Sequence, residues 1–163
     1  MTIRSTIIIL TLAFSTVNCS PPNRENIDYV VYGTYAGECM NHCTLMFKLE
    51  KDKLLVDTTD SFFDNSQQTE RVIFKGDTLS HEDFLKAQKV EERLPKLLLN
   101  SQSKDFGNPD QHDQGGIYIQ FKSNNELKTF YIDTELDKIP GELRDYAKLI
   151  MSEVSAKWNY YYR

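Results

Sequence analysis

The chain has 163 residues, 12% aromatic and 26% charged, with a formal net charge of −5 and a pI near 5.2. No basic block or basic–aromatic stripe interrupts this acidic balance, so neither nucleic acid nor an anionic bilayer finds the cationic surface it needs. The aromatic content is too high for a disordered chain, and the length suits one domain behind a short leader.

Residues 1–18 read as a lipoprotein-type signal peptide. Arg4 is their only charge, and Ile7–Phe14 is an apolar run well short of the roughly 20 residues that span a bilayer. Cys19 follows closely, as the lipidated cysteine does in bacterial lipoproteins. Thr16-Val17-Asn18 departs from the usual residues before such a cysteine, and Ala13-Phe14-Ser15 resembles an ordinary cleavage site. Lipidation at Cys19 is expected, with simple secretion and a retained anchor as alternatives. Setting Cys19 aside leaves an even pair of cysteines, as an oxidising compartment favours. Residues 19–26, with Pro21 and Pro22, read as a tether, and residues 27–163 as a single α+β domain.

Tyr29–Asp57 reads as three strands. Tyr29, Val31 and Tyr35 alternate with Val30, Tyr32 and Thr34, and Leu45, Phe47 and Leu49 alternate with Thr44, Met46 and Lys48. Glu50–Lys53 is a hairpin turn. Cys39 and Cys43 occupy the corner between the first two strands. Fully extended they would lie about 13 Å apart, whereas a disulfide needs Cα atoms within about 7 Å, so bridging requires Glu38–His42 to turn. A bridge, free thiols and a metal site with His42 are the three readings. The metal needs further ligands, and His81 and His112 are remote in sequence.

Thr58–Glu70 is a loop in which Phe62 and Phe63 read as a plug against the core, and Arg71–Lys75 reads as a short strand. Ser80 caps a helix opening on His81, Glu82 and Asp83, with the acids at the positive end of its dipole. Pro95 breaks that helix, and Pro95–Leu99 restarts it as a short turn. Asn100–Gly116 is a long polar loop. Asp105, Asn108, Asp110 and Asp113 offer oxygens suited to Ca²⁺, but their spacing is not that of an EF-hand, and such residues are ordinary turn formers.

Gly116–Lys122 and Leu127–Asp133 form a hairpin. Ile117, Ile119 and Phe121 point inward, which leaves Tyr118 and Tyr131 on a solvated face. These tyrosines, with Asp105, Asp110 and Asp113, make up the candidate ligand or partner surface. Leu143, Ala147, Ile150, Val154 and Trp158 recur at helical spacing in a last, core-covering helix, and Tyr160-Tyr161-Tyr162 is too aromatic for a free tail.

Gly37-Glu38-Cys39-x-x-x-Cys43, Gly107-x-Pro109-Asp110…Gly115-Gly116-Ile117-Tyr118 and Ile132-Asp133-Thr134…Ile139-Pro140 together resemble small lipoproteins of Bacteroidota-type bacteria. The likeness covers most of the chain beyond the leader. It departs at Asn108 and Gln111, where cysteines would be expected. It implies an envelope address and an α+β fold, and the group brings no known activity.

No Gly-x-Ser-x-Gly elbow, His-Glu-x-x-His, phosphate loop or dinucleotide fingerprint is present. The expectation is an α+β fold, βββ–β–α–ββ–α, with one antiparallel sheet of about six strands and two helices on one face. The expected role is a non-enzymatic binding module of the cell envelope, without a cofactor, held to the membrane by its lipid. An inhibitor or immunity-type protein of an envelope hydrolase, and a small Cys/His metal or redox protein, are the alternatives.

Overall fold

The structure, a computed structural model, describes residues 26–57, 59–66, 68–74, 78–111 and 114–162. The signal peptide, Cys19 and Asp113 lie outside the described residues. The described residues form, in chain order, β1 (Ile27–Tyr35), β2 (Thr44–Glu50), β3 (Lys53–Asp57), α1 (His81–Glu92), α2 (Lys96–Asn100), β4 (Asp105–Phe106), β5 (Gly116–Ser123), β6 (Glu126–Ile132) and α3 (Gly141–Tyr161).

One six-stranded sheet carries the fold, in the order β3-β2-β1-β5-β6-β4. The chain is α+β, as its pattern implies, but the sheet is mixed. β4 runs parallel to β6, and the other pairs are antiparallel. The sixth strand is not Arg71–Lys75. The described part of that segment, residues 71–74, has no strand pairing, and β4 arises instead inside the polar 100–116 loop. Arg71 is diverted across the sheet face, with its guanidinium over the Phe62 ring, and the free edge of β3 meets Thr78 instead, through Leu55. Among the described residues there are also three helices rather than two, because the turn after Pro95 closes into α2.

Period-two alternation divides the strand residues between two faces. Val30, Tyr32, Leu45, Phe47, Leu49, Ile117, Ile119 and Phe121 point inward and are buried beneath the helices. α1 covers them with Phe84, Ala87 and Val90, and α3 with Leu143, Tyr146, Ala147, Ile150 and Val154. The Ser80 hydroxyl accepts the Asp83 N–H and caps α1. Lys157, buried on α3, reaches Asp83 at 3.2 Å and Glu153 at 3.5 Å, tying the helices together. At the C-terminal end only part of the aromatic tail docks. Tyr162 donates its hydroxyl to the Thr44 carbonyl at 2.6 Å, while Tyr160 is 81% exposed.

Gly33 and Gly115 allow two close approaches. A Cβ on Gly33 would run into the Leu45 carbonyl of β2, and one on Gly115 into the Tyr35 carbonyl of β1. Gly115 also has φ +77°, a conformation that disfavours any side chain.

Candidate functional site

The same alternation sends Tyr29, Val31, Tyr35, Met46 and Tyr118 to the outer face of the sheet. So large an apolar surface is costly to leave wet. Residues 59–66 and 68–74 roof it. Phe62 is 1% exposed, with its ring 5.2 Å from Tyr35 and 5.1 Å from Tyr118, whereas its neighbour Phe63 is 36% exposed. The expected plug is therefore Phe62 rather than the pair.

Polar tethers fix the roof. At its start Asp57 accepts the Thr59 N–H at 2.8 Å. Asp60 accepts the Cys43 N–H at 3.0 Å and the Thr44 hydroxyl at 2.9 Å. Midway, the Arg71 guanidinium lies 3.9 Å from the Phe62 ring centroid and donates to the Tyr131 hydroxyl at 3.1 Å. Gln120 donates to the Thr69 carbonyl at 2.9 Å, and the Tyr29 hydroxyl to the Glu70 carboxylate at 2.5 Å. Burial, reinforced by Glu70, pushes the Tyr29 phenol well above its ordinary value, so it stays a neutral donor.

The roof does not cover the whole face. Towards the β2–β3 and β5–β6 hairpins a solvent-open cavity of about 710 Å³ remains. Leu55, Phe74 and Leu127 supply apolar walls, and Lys48, Glu70 and Lys122 supply charge. Lys48 lies 4.2 Å from the Tyr29 ring centroid and 3.2 Å from the Glu50 carboxylate. The lining is therefore amphipathic, with apolar walls beside two lysines and a glutamate.

The residues singled out in the sequence fare unequally. Tyr118 is fully buried under Phe62 and is no surface residue. Period two told which residues share its face but not that a distant loop covers that face. Tyr131 is half-buried, 5.6 Å from the Tyr118 ring, and receives the Arg71 bond. Asp105 is exposed on β4. Asp110 folds its own turn, with φ +63° and its carboxylate accepting the Gly115 N–H at 3.1 Å. Neither lines the cavity.

The acid that anchors this loop is Asp133, which sequence reasoning passed over. It is 3% exposed and accepts the Asn108 N–H at 3.0 Å and the Glu135 N–H at 2.8 Å. An aspartate at a strand end followed by Thr134 and Glu135 was the available signal, since Asx side chains bond backbone two residues on. Lys48, Glu70, Arg71 and Lys122 left no comparable local signature.

Cys39 and Cys43 come to disulfide distance, with Cα atoms 5.5 Å apart. His42 makes the required turn at φ +58°, and its ring stacks on Tyr162 at 4.2 Å. Among the described residues, no three His, Cys, Asp or Glu side chains gather where they would hold a metal ion, and no helix is long and apolar enough to cross a membrane. No protein-family model matches the chain, and no curated protein matches it.

Proposed function

We propose that this is an exported envelope protein, lipid-anchored at Cys19, that acts as a non-enzymatic binding module through its roofed outer face. The cavity beside the roof carries the reading. It joins apolar walls from β3, β6 and the roof to charged groups from β2, β5 and the roof, so one ligand contacts five parts of the fold. The ligand class is a small amphipathic molecule with an anionic group, held by Lys48 and Lys122 over Leu55, Phe74 and Leu127.

Anilinonaphthalene sulfonate, an aromatic anion, is a suitable probe. Native protein should bind it saturably at one site, and Lys48→Glu with Lys122→Glu should weaken binding about tenfold or more, the loss of one or two charge-assisted contacts. Non-saturable fluorescence, or binding indifferent to the double substitution, would remove the site. Export is tested separately: radiolabelled palmitate should enter the wild type and not Cys19→Ala, and its absence from both would end the lipid reading.

An inhibitor or immunity-type role has its own supporting observation. Met40, at the tip of the corner closed by Cys39 and Cys43, is 96% exposed, as suits a rigid loop presented to a protein pocket. Protection of an envelope hydrolase's target by the wild type, lost on Met40→Asp, would favour that role over the cavity.

A further inference from the structure

We infer that the Cys39–Cys43 disulfide is an exchangeable bond, with Cys39 as the sulfur that an external thiolate attacks. This goes beyond the binding reading and requires neither a ligand nor a lipid.

The two sulfurs sit in unlike places. Cys39 is exposed on the corner loop, and Cys43 is 8% exposed at the head of β2. Exchange requires the attacking thiolate to reach one sulfur in line with the bond, so access selects which sulfur is attacked. Cys39 is open to attack, and the leaving electron pair then falls on Cys43.

The corner does not need this bond in order to stand. Its base is closed by the Ala36 N–H donating to the Cys43 carbonyl at 2.8 Å. Asp60 holds Cys43 through its N–H and Thr44 through its hydroxyl. Tyr162 grips the Thr44 carbonyl from the other side. None of these bonds passes through sulfur. The bridge closes a segment with a sequence separation of only 4, so it removes little entropy from the unfolded chain. What it does restrain is the tip, where Met40 is held out and His42 is kept left-handed against the Tyr162 ring. A structural staple would span distant segments, whereas this one latches a local loop.

The reaction balances with a dithiol oxidoreductase, or two equivalents of a low-molecular-weight thiol, as reductant. The reductant's thiolate attacks Sγ of Cys39. The new bond joins that sulfur to the reductant, the Cys39–Cys43 bond breaks, and the electron pair leaves on Sγ of Cys43, which takes a proton from water. With a dithiol, the second thiolate attacks the reductant's own sulfur in the mixed disulfide and expels the Cys39 thiolate. Two electrons have then passed from the dithiol to the cysteine pair.

The test uses the oxidised exported chain and a thioredoxin-type dithiol protein whose resolving cysteine is replaced, so that the mixed disulfide persists. Peptide mapping should find the adduct on Cys39 in roughly tenfold excess over Cys43, because access governs the exchange. Near-ultraviolet circular dichroism should be retained after full reduction, and Cys39→Ser with Cys43→Ser should keep the native spectrum outside the corner. An adduct mainly on Cys43 would overturn the assignment. So would no adduct on native protein when the urea-unfolded chain reacts, or loss of tertiary signal on reduction.

Discussion

Replacing Phe62 by alanine tests the roof most directly. The ring is almost fully enclosed, with Tyr35 and Tyr118 beneath it and the Arg71 guanidinium above it at 3.9 Å. Truncation of a buried phenylalanine costs about 3–5 kcal/mol, and the stacked guanidinium adds about 0.5–2 kcal/mol, rising with its desolvation. A loop can settle into the space more readily than a helix, which sets the expectation at the low end, about 3 kcal/mol. For a domain of this size that corresponds to a fall in Tm of roughly 10–15 °C. Urea unfolding followed by Trp158 fluorescence measures it, with Phe63→Ala as the internal control. Phe63, more exposed, should cost less than about 1 kcal/mol. Both variants should keep the wild-type m value, since the same surface is exposed on unfolding. A Phe62→Ala loss below about 1 kcal/mol, or one no larger than that of Phe63→Ala, would refute the idea that the roof is packed onto the outer face.

Lys157→Ala should cost about 1–3 kcal/mol in the same assay, between the values for exposed and buried pairs, because Asp83 and Glu153 lose their shared cation. The effect is linked to pH. Desolvation alone would raise the Asp83 carboxyl, but the bonds from Ser80 and Lys157 outweigh it and hold the group below its ordinary value. A depressed carboxylate stabilises the fold above its unfolded pKa and loses that contribution as pH falls through the folded value. Wild-type stability should therefore decline below about pH 4, and Asp83→Asn should flatten that decline. Gly115→Ala should lower stability by more than about 2 kcal/mol, since the left-handed backbone costs about 1–2 kcal/mol and the Tyr35 carbonyl occupies the space of the new methyl group. Gly141→Ala, at a helix start with open space around it, is the matched control and should be nearly neutral. Equal effects at the two glycines would contradict the close approach at Tyr35.

Local chemistry settled a good share of this protein. Alternation in Tyr29–Tyr35 and Leu45–Leu49 grouped the residues that share a face in both strands, and the stripe from Leu143 to Val154 named the buried side of α3. Ser80 and Pro95 marked the helix boundaries, and bridging Cys39 to Cys43 required a turn over Glu38–His42, which His42 makes. Each of these signals lies within a few residues of what it specifies. What covers a face, or completes a sheet edge, depends on contacts between residues far apart in the chain. Arg71–Phe74 has strand-like residues, yet Arg71 is captured by Phe62 and Tyr131, so the segment crosses the sheet instead of joining it. Two residues of a polar loop became β4 because the backbone at the end of β6 and just past it, at Tyr131 and Asp133, offered N–H donors to the Lys104 and Phe106 carbonyls. Tyr118 reads as wet from its own neighbours and is buried by a ring 56 positions earlier in the chain. Lys48, Glu70 and Lys122 carry no signal until the sheet register and the roof bring them around one cavity. Periodicity is a property of neighbouring residues, whereas enclosure is a property of the assembled chain.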